Sequence, residues 1–343
     1  MRKYNSEEML SFDDILLVPQ YADIASRKDV SLRSTIGIGT KRSIGLDLPI
    51  IAAPMDTVCE WQMAAAIRKS GGLGIIHRYM TIEQQVEQIK LAVAAGGAVG
   101  GSIGAKGDYL SEASMLYDAG AAMVLIDVAN GHSQYAIDAV KGLRKLVGNQ
   151  LHIMAGNVST WEGYKRLADA GADSIRVGIG GGSACTTRVV SGHGMPTLAS
   201  IIDIRKNYKY GDGPDIIADG GIRNSGDAAK ALAAGANAVM VGRILAGTDE
   251  SPGEVVDGQK IFRGMASREA QEDGRGSVSG VEGISTTIPY VGKVENILQD
   301  FEAGLRSALS YTGVENLIDF HTESVYNRVS SNSLNETKPH AKE

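Results

Sequence analysis

A glycine-rich loop that contains one cysteine carries the residues of this sequence best suited to covalent chemistry. Residues 178–188 read GIGGGSACTTR, so Cys185 follows a run of glycines and precedes Thr187. A thiolate is a strong nucleophile when its surroundings lower the pKa of the thiol. The alternative is a cysteine that only fills space, as we expect for Cys59 in VCEWQMAAAI. We interpret Cys185 as a catalytic nucleophile, with the Thr187 hydroxyl on the same side of the loop.

Two later segments, ADGG at 218–221 and VGR at 241–243, are typical of a phosphate-binding site. The backbone N–H groups that can hold the phosphate belong to Gly220, Gly221, Gly242 and Arg243. The Arg243 side chain can add a charge-assisted contact, and Ser183 can donate from the neighbouring loop. A phosphate would repel the carboxylate of Asp219, which is better suited to accept hydrogen bonds from ribose hydroxyls. The segments therefore predict a nucleoside monophosphate site, with other sugar phosphates or simple tight turns as alternatives.

Further polar residues stand at the ends of other apolar runs. They combine acids, bases and amides and are Asp56, His77, Arg78, Asp127, Asn130 and Asn157. Such a set can perform general acid–base chemistry or bind a cofactor. Spacing alone does not rank these residues, and His77 can equally have a structural role.

Eight apolar runs alternate with amphipathic stretches and predict the elements that position these side chains. The runs are LPIIAAPM (48–55), GLGIIHR (72–78), AVGGSIG (98–104), MVLIDVA (123–129), HIMAGNV (152–158), SIRVGIG (174–180), DIIADGG (215–221) and AVMVGRI (238–244). They recur at the spacing of a βα unit, which predicts a parallel sheet covered by helices. Eight units predict an α/β fold, a single (β/α)8 TIM barrel whose polar strand ends form the active site. An open doubly wound sheet is the alternative.

The rest of the 343-residue chain predicts extensions of one barrel domain, with no linker to a second one. Residues 1–45 are expected to form an N-terminal arm, and residues 322–343 a loose polar tail. The net charge of −6 is mixed along the chain and gives no basic face for nucleic acid. No apolar run is long enough to span a membrane, and the first residues lack a signal-peptide core. We expect a cytoplasmic protein with neither nucleic-acid nor membrane partners.

Long segments of the sequence resemble the IMP dehydrogenase / GMP reductase family. They include FDDILLVP, PIIAAPMDTV, GGLGIIHR, DVANGHS, MAGNV, GIGGGSACTTR, IIADGGIRNSGDAAKALAAGA and FRGMAS, and they cover nearly the whole chain. The resemblance supports the TIM barrel. It also implies a purine nucleoside monophosphate substrate, a nicotinamide cofactor and a homotetramer.

The resemblance implies catalytic and cofactor-binding roles for individual residues. Cys185 matches the nucleophile that attacks C2 of the purine and forms a thioimidate. Thr187 and Glu282 match polar residues at the reacting centre, and Asp127 matches an acid near the nicotinamide ribose. The other residues expected to bind the cofactor are Asn130 and Arg78.

Binding residues for the nucleotide and for an ion are implied in the same way. The positions that match contacts to the phosphate, ribose or base, together with a neighbouring glycine, are Ser183, Asp219, Gly221, Gly242, Gly264 and Met265. Gly220 and Arg243 join this set through the phosphate site inferred above. A monovalent-cation site, for K⁺ in some members, is matched by the backbone carbonyls of Gly180, Gly182 and Cys185.

The segment before Glu282 decides which branch of the family the sequence favours. This flap, residues 266–288, is short, and the stretch ASREAQEDGRGSVSG has two arginines and no tyrosine. In the dehydrogenases of this family, the resemblance implies a long flap with an Arg-Tyr pair that activates water. DVANGHS and IMAGNV also resemble the corresponding segments of the reductases. No pair of regulatory CBS modules is inserted between the second and third predicted strands, as in reductases and a minority of dehydrogenases. PMDTV and LAGTDESPGE look more like the dehydrogenase. We predict a GMP reductase that uses NADPH.

Two alternatives stay open. An IMP dehydrogenase would oxidise IMP to XMP with NAD. A weakly catalytic nucleotide-binding barrel is suggested by departures from the family pattern: Gly181 replaces a usual proline, Phe262 a tyrosine, and Arg243 a small residue. Arg78 stands where many members have lysine, and an arginine that stays protonated cannot deliver a proton to departing ammonia.

Overall fold

Eight parallel strands close into a barrel in the computed structural model, which describes residues 8–37, 42–209, 211–330 and 333. The strands described are β1 (Ile15–Leu17), β2 (Ser34–Ile36), β3 (Ile44–Leu46), β4 (Ile50–Ala52), β5 (Leu73–Ile76), β6 (Val99–Ile103), β7 (Met123–Asp127), β8 (His152–Val158), β9 (Ser174–Val177), β10 (Asp215–Asp219), β11 (Ala238–Val241), β12 (Gln259–Arg263), β13 (Ser285–Pro289) and β14 (Tyr326–Arg328). The barrel runs from β4 to β11, and β11 pairs in parallel with β4. This closure confirms the predicted TIM barrel and excludes the open sheet.

Helices surround the barrel. They are α1 (Trp61–Lys69), α2 (Ile82–Ala94), α3 (Tyr109–Asp118), α4 (Gln134–Val147), α5 (Trp161–Ala170), α6 (Thr187–Val190), α7 (Thr197–Asn207), α8 (Ser225–Ala233), α9 (Arg243–Ala246), α10 (Arg268–Arg275), α11 (Val294–Thr312) and α12 (Leu317–Glu323). Local signals set their ends: the Thr81 side chain caps α2, and Gly171 ends α5 with a φ of 102°. In the described part of the chain, none of these helices combines the length and apolarity that crossing a membrane requires.

The barrel strands are apolar on both faces because each strand separates two cores. Successive residues of a strand point to opposite faces, so in β4 Ile50 packs towards the helices and Ile51 into the barrel. Each of the eight predicted runs contains one barrel strand. Seven of the eight strands are shorter than their runs, and β8 spans its whole run. The residues that follow the strands form loops. Those loops line the mouth of the barrel, at the C-terminal ends of the strands.

A hairpin and a buried ion cluster close the opposite end of the barrel. β2 and β3 pair in antiparallel fashion and place Ile36 and Leu46 against the inner core. Beside them, Asp173 binds Arg42 and Arg144, with N···O distances of 2.5 Å to each. This end is packed shut, so a ligand reaches the barrel from the mouth.

The two ends of the described chain pair with each other outside the barrel. β1 is antiparallel to β14, with Ile15 opposite Arg328. Within the predicted N-terminal arm, β1 lies outside the barrel and β2 packs across its closed end. The expected loose tail is wrong for residues 326–328, because the exposed backbone groups of β1 find their partners there. The predictions for residues 1–7, 38–41, 331, 332 and 334–343 lie outside the described residues.

Candidate active site

Cys185, Thr187 and Glu282 form a continuous hydrogen-bonded chain at the mouth. The Cys185 thiol donates to Thr187 Oγ1 at 3.1 Å, and Thr187 Oγ1 donates to Glu282 Oε2 at 2.7 Å. Cys185 is partly exposed, so a ligand in the mouth can reach its sulfur. A carboxylate joined to a hydroxyl in this way can pass a proton to or from a reacting group. The structure thus brings together the three residues predicted to surround the reacting atom.

Backbone hydrogen bonds to the flap hold the Cys185–Thr187–Glu282 hydrogen-bonded chain in place. The Thr186 amide donates to the Glu282 carbonyl at 2.9 Å, and the Ile284 amide donates to the Ala184 carbonyl at 3.0 Å. Within the predicted flap the structure forms α10 and then β13, which pairs with β12. The flap therefore contains a folded helix and one strand of a hairpin, and it fixes Glu282 beside the candidate catalytic loop, residues 178–188.

The turn at residues 219–221 lies directly against the catalytic loop. Gly220 and Gly221 have φ values of 91° and 83°, in the left-handed region that favours glycine. A Cβ at Gly220 would stand 3.0 Å from the amide nitrogen of Gly182. Among the residues the structure describes, no group accepts a hydrogen bond from the amides of Gly220 and Gly221. The turn therefore presents two N–H groups that can bind an anion.

The remaining predicted nucleotide-binding residues border the same loops. Gly264 packs so closely that a Cβ there would lie 3.0 Å from the Ala184 carbonyl oxygen. The Met265 sulfur accepts from the Asp56 amide at 3.4 Å. Ser183 is exposed on the catalytic loop, and Gly242 and Arg243 begin α9, with the Arg243 side chain exposed.

An arginine inside the barrel joins two of the predicted acids. Arg176 is 9% exposed, and its Nη1 lies 2.8 Å from Asp127 Oδ1. Its Nη2 lies 3.0 Å from Asp219 Oδ2, which also accepts from Asn157 Nδ2 at 2.7 Å. Burial raises the pKa of Asp127, but the charges of Arg176 and Arg78 outweigh it and hold the pKa below its usual value. Asp127 is therefore kept ionised, and the contacts with Arg176 hold both acids in place.

Sequence reasoning missed Arg176. It interprets SIRVGIG as a buried apolar strand, in which one arginine attracts no notice. The available signal is that a charge inside an apolar strand requires buried counterions. Asp127 and Asp219, each at the end of a barrel strand, supply those counterions.

Arg78 and Asn130, predicted to bind the cofactor, lie beside Asp127 but differ in availability. Arg78 Nη2 donates to the Asp127 carbonyl at 3.2 Å, while Arg78 Nε lies 3.5 Å from Asp127 Oδ2. Among the described residues, Arg78 Nε and Asn157 Oδ1 are buried without a hydrogen-bond partner. Asn130 Oδ1 accepts from the His132 amide in a local turn. Arg78 thus pairs with Asp127 without using the hydrogen-bonding capacity of its Nε, which fits a polar ligand such as a cofactor ribose beside Asp127.

The predicted cation site consists of backbone oxygens of the catalytic loop. Gly180 has a φ of 81°, and the Gly182 carbonyl accepts from the Cys185 amide at 3.0 Å, which leaves that oxygen a second lone pair. Within the described ranges, no three His, Cys, Asp or Glu side chains cluster as metal ligands. Any ion at this loop would therefore depend on carbonyls.

His77, another of the polar residues at the ends of the apolar runs, has hydrogen-bond partners that indicate a structural role. Its Nδ1 accepts from the Tyr79 amide at 3.1 Å, and its Nε2 lies 3.4 Å from Glu60 Oε1. These partners occupy both ring nitrogens. His77 is therefore not available to the hydrogen-bonded chain that runs from Cys185 to Glu282. It lines a cleft of about 490 Å³ beside the flap.

Comparison with known proteins places this architecture in one family. The profile described as "IMP dehydrogenase / GMP reductase domain" matches residues 9–340. Inosine-5'-monophosphate dehydrogenase of Borreliella burgdorferi is 34% identical over 98% of this chain and 97% of its own length. GMP reductase of Leishmania major is 30% identical, over 97% of each chain.

A solved structure agrees with both matches. The crystal structure of a cysteine-to-alanine variant of GMP reductase from Trypanosoma brucei, in complex with guanosine 5'-monophosphate, superposes with a TM-score of 0.89. It is 26% identical and covers 98% of each chain. With a closed barrel, a cysteine on the loop after β9 and matches over almost its full length, this chain belongs to the IMP dehydrogenase / GMP reductase family, whose members are purine nucleotide oxidoreductases.

Proposed function

We propose that the protein is a GMP reductase, which converts GMP to IMP and ammonia with NADPH. The observation that carries the proposal is the chain from Cys185 through Thr187 to Glu282, with distances of 3.1 and 2.7 Å. It joins a nucleophile to a proton carrier, as removal of an amine from C2 requires.

The reaction begins when the Cys185 thiol passes its proton through Thr187 to Glu282. The sulfur then forms a bond to C2 of the purine, and the π electrons of the C2–N3 bond move onto N3 until the amine leaves. The bond from C2 to the amino nitrogen then breaks, and ammonia leaves with that electron pair and one further proton. Arg78 stays protonated and cannot supply this proton. Glu282, which Thr187 connects to the reacting centre, is the group positioned to do so. Cys185 is then held as a thioimidate until the C–S bond breaks and the sulfur departs with its electrons.

Nucleotide and cofactor bind on the two sides of Arg176. Gly220 and Gly221 would hold the phosphate, together with Ser183, and Asp219 the ribose. NADPH, when bound, supplies the hydride that replaces sulfur at C2. Asp127 and Arg78 would hold its nicotinamide ribose. K⁺ at the loop carbonyls and a homotetramer stay predictions of the resemblance, and a cytoplasmic location stays a prediction from the apolar pattern of the sequence.

The flap supports the reductase direction. Hydrolysis of the thioimidate needs a base that activates water, and the resemblance assigns this in dehydrogenases to an Arg-Tyr pair on a long flap. Here ASREAQEDGRGSVSG contains no tyrosine, and part of it is ordered as α10. The folded segment leaves less room for a mobile flap that alternates between cofactor and water.

IMP dehydrogenase is the second candidate, because relatives of both names match this chain. Several of the similar proteins carry that name, among them the one from Nitrosopumilus maritimus, 30% identical over 97% of this chain. At such identities the names of relatives do not separate the two reactions. The third candidate, a weakly catalytic nucleotide-binding barrel, predicts that Cys185 is dispensable.

Isotopes separate these candidates. The protein is incubated with NADPH that carries deuterium at C4 on the transferred side and GMP labelled with ¹⁵N in its amino group. A GMP reductase yields IMP with deuterium at C2 and ¹⁵N-labelled ammonia. Parallel reactions contain IMP, NAD and K⁺, and Cys185→Ala serves as the control.

Each outcome identifies one candidate. Formation of XMP from IMP without any IMP from GMP would contradict the reductase and identify the dehydrogenase. Turnover that Cys185→Ala retains would contradict both covalent mechanisms. Binding of GMP with no product from either reaction would leave the weakly catalytic barrel.

A further inference from the structure

Thr197, the first residue of α7, lies beneath the catalytic loop and touches both halves of the proposed nucleotide site. Its side chain is only 4% exposed. The Thr197 hydroxyl donates to the Asp219 backbone carbonyl at 3.3 Å. A Cβ built at Gly181, in the loop that carries Cys185, would stand 2.8 Å from the same hydroxyl oxygen. One hydroxyl is thus in contact with the nucleophile's loop and with the ribose-binding strand end.

Gly181 differs from the other glycines of this loop in the reason it must be glycine. Gly178 has a φ of 143°, and its Cβ would stand 1.9 Å from the Asp219 carbonyl oxygen, so backbone excludes any side chain. Gly181 does not have a left-handed backbone, and the other atoms near its Cβ, in Gly220, are 3.4 Å away or farther. The Thr197 hydroxyl alone therefore excludes a side chain at position 181.

A second polar side chain ties the same two segments together on another side. Asn157 Nδ2 donates to the Gly178 carbonyl at 2.8 Å and to Asp219 Oδ2 at 2.7 Å. Asn157 contacts the start of the loop, whereas Thr197 contacts its middle, nearer to Cys185. The spacing between the Cys185 loop and the Asp219 turn is therefore set at two points, and the second point is the pair of Thr197 and Gly181.

We propose that Thr197 is a positioning residue for the nucleotide and that Gly181 is glycine to receive its hydroxyl. Thr197 touches no reacting atom. It fixes how far the Cys185 sulfur lies from a nucleotide whose ribose is held by Asp219. The inference rests on the proposed nucleotide site but not on the direction of the reaction.

Compensating substitutions test this contact. Gly181→Ala adds the Cβ that Thr197 excludes. We expect it to weaken GMP and IMP binding by about tenfold, the size of effect that is typical when two residues in direct contact are disturbed. We also expect the rate at which iodoacetamide modifies Cys185 to change by about tenfold. Adding Thr197→Ala makes room again, and we expect both values to return to within about threefold of the parent protein. Adding Thr197→Val instead keeps a methyl group in the place of the hydroxyl, so we expect no recovery.

The matched control is Gly45→Ala, because a Cβ there meets nothing within 4 Å. If the contact has only a structural role, Gly181→Ala will lower the thermal midpoint but leave the reactivity of Cys185 unchanged. There will then be no change in reactivity for Thr197→Ala to reverse. If Gly181→Ala does not fold, recovery of folding in the double variant with Thr197→Ala, and not with Thr197→Val, supports the contact.

Two results would overturn the proposal: unchanged nucleotide affinity and Cys185 reactivity in Gly181→Ala, or equal impairment with and without Thr197→Ala. Both GMP and IMP serve as probes, and alkylation needs neither. A recovered loop that still forms no IMP from GMP would therefore count against the reductase and not against Thr197.

Discussion

Arg176 Nη1 lies 2.8 Å from Asp127 Oδ1 inside the barrel, and the same guanidinium binds Asp219 on its other side. We expect Arg176→Met to lower the free energy of unfolding by about 3–5 kcal/mol, since it leaves two partly buried carboxylates without their shared, buried cation. Urea unfolding measures this loss. Lys165→Met is the control, because Lys165 pairs with Asp169 at the exposed surface and should contribute less than about 1 kcal/mol. Equal losses in the two variants would contradict the buried network.

The same substitution is expected to make cofactor binding depend on pH. Arg176 and Arg78 hold the pKa of Asp127 below its usual value against the effect of burial. The lowered pKa keeps Asp127 ionised until the pH falls through that value. Without Arg176 the pKa rises, so Asp127 takes up its proton at a higher pH and loses its acceptor for the cofactor ribose. Titration of NADPH affinity against pH, with parent and Arg176→Met compared, measures the shift; superimposable profiles would argue against it.

Thr187→Val is expected to lower kcat by about two to four orders of magnitude with little change in GMP affinity, the range for loss of a proton-transfer group. The substitution keeps the shape of the side chain and removes the hydroxyl that connects Cys185 to Glu282. Thr187→Ser, which retains a hydroxyl, serves as the control and should keep most of the activity. A Thr187→Val enzyme with full kcat would show that the proton takes another path.

The two cysteines are expected to differ in reactivity. Burial raises the pKa of the Cys59 thiol far above its usual value, and Cys59 is fully enclosed. Cys185 is partly exposed at the mouth. Iodoacetamide should therefore modify Cys185 in the native protein and Cys59 only after unfolding, with peptide mass spectrometry as the measurement. Prior addition of GMP should protect Cys185. Rapid native modification of Cys59 would contradict the packing around it.

His152 is expected to make the protein less stable in weak acid. Burial lowers its pKa to about 4, from about 6.5 in the unfolded chain. Below about pH 6.5 the unfolded state binds a proton that the folded state excludes, so the free energy of unfolding falls until about pH 4, by about 3 kcal/mol in all. The slope should disappear in His152→Asn and persist in His193→Asn, whose histidine is exposed. Identical slopes in both variants would assign the acid sensitivity to other groups.

The barrel could be predicted because its signal is local. Each run of β-branched residues, such as HIMAGNV, encodes a strand buried on both faces, and the polar residue at its end marks the mouth. The Cys185, Thr187 and Asp219 assignments followed from residue types placed at those ends.

The missed features depend on contacts between distant segments. Arg176 is significant only once Asp127 and Asp219 are brought to either side of it, 49 and 43 residues away along the chain. The need for glycine at 181 depends on the side chain of Thr197, on a helix the loop packs against. The sequence of β14 looks like a polar tail, because a strand of only three residues carries little signal of its own. Its stability comes from pairing with β1.

The pairing of β1 with β14 has a consequence for the order in which this enzyme is completed on the ribosome. Phe12, just before β1, packs beneath the turn proposed to bind phosphate, 3.6 Å from where a Cβ of Gly221 would stand. The contacts that hold this segment include the bond from Gln20 to the Glu323 carbonyl, 303 residues later. Its first part is therefore synthesised long before its last part. A nascent chain can form most of its barrel, but the proposed nucleotide site gains this support only after β14 has been synthesised.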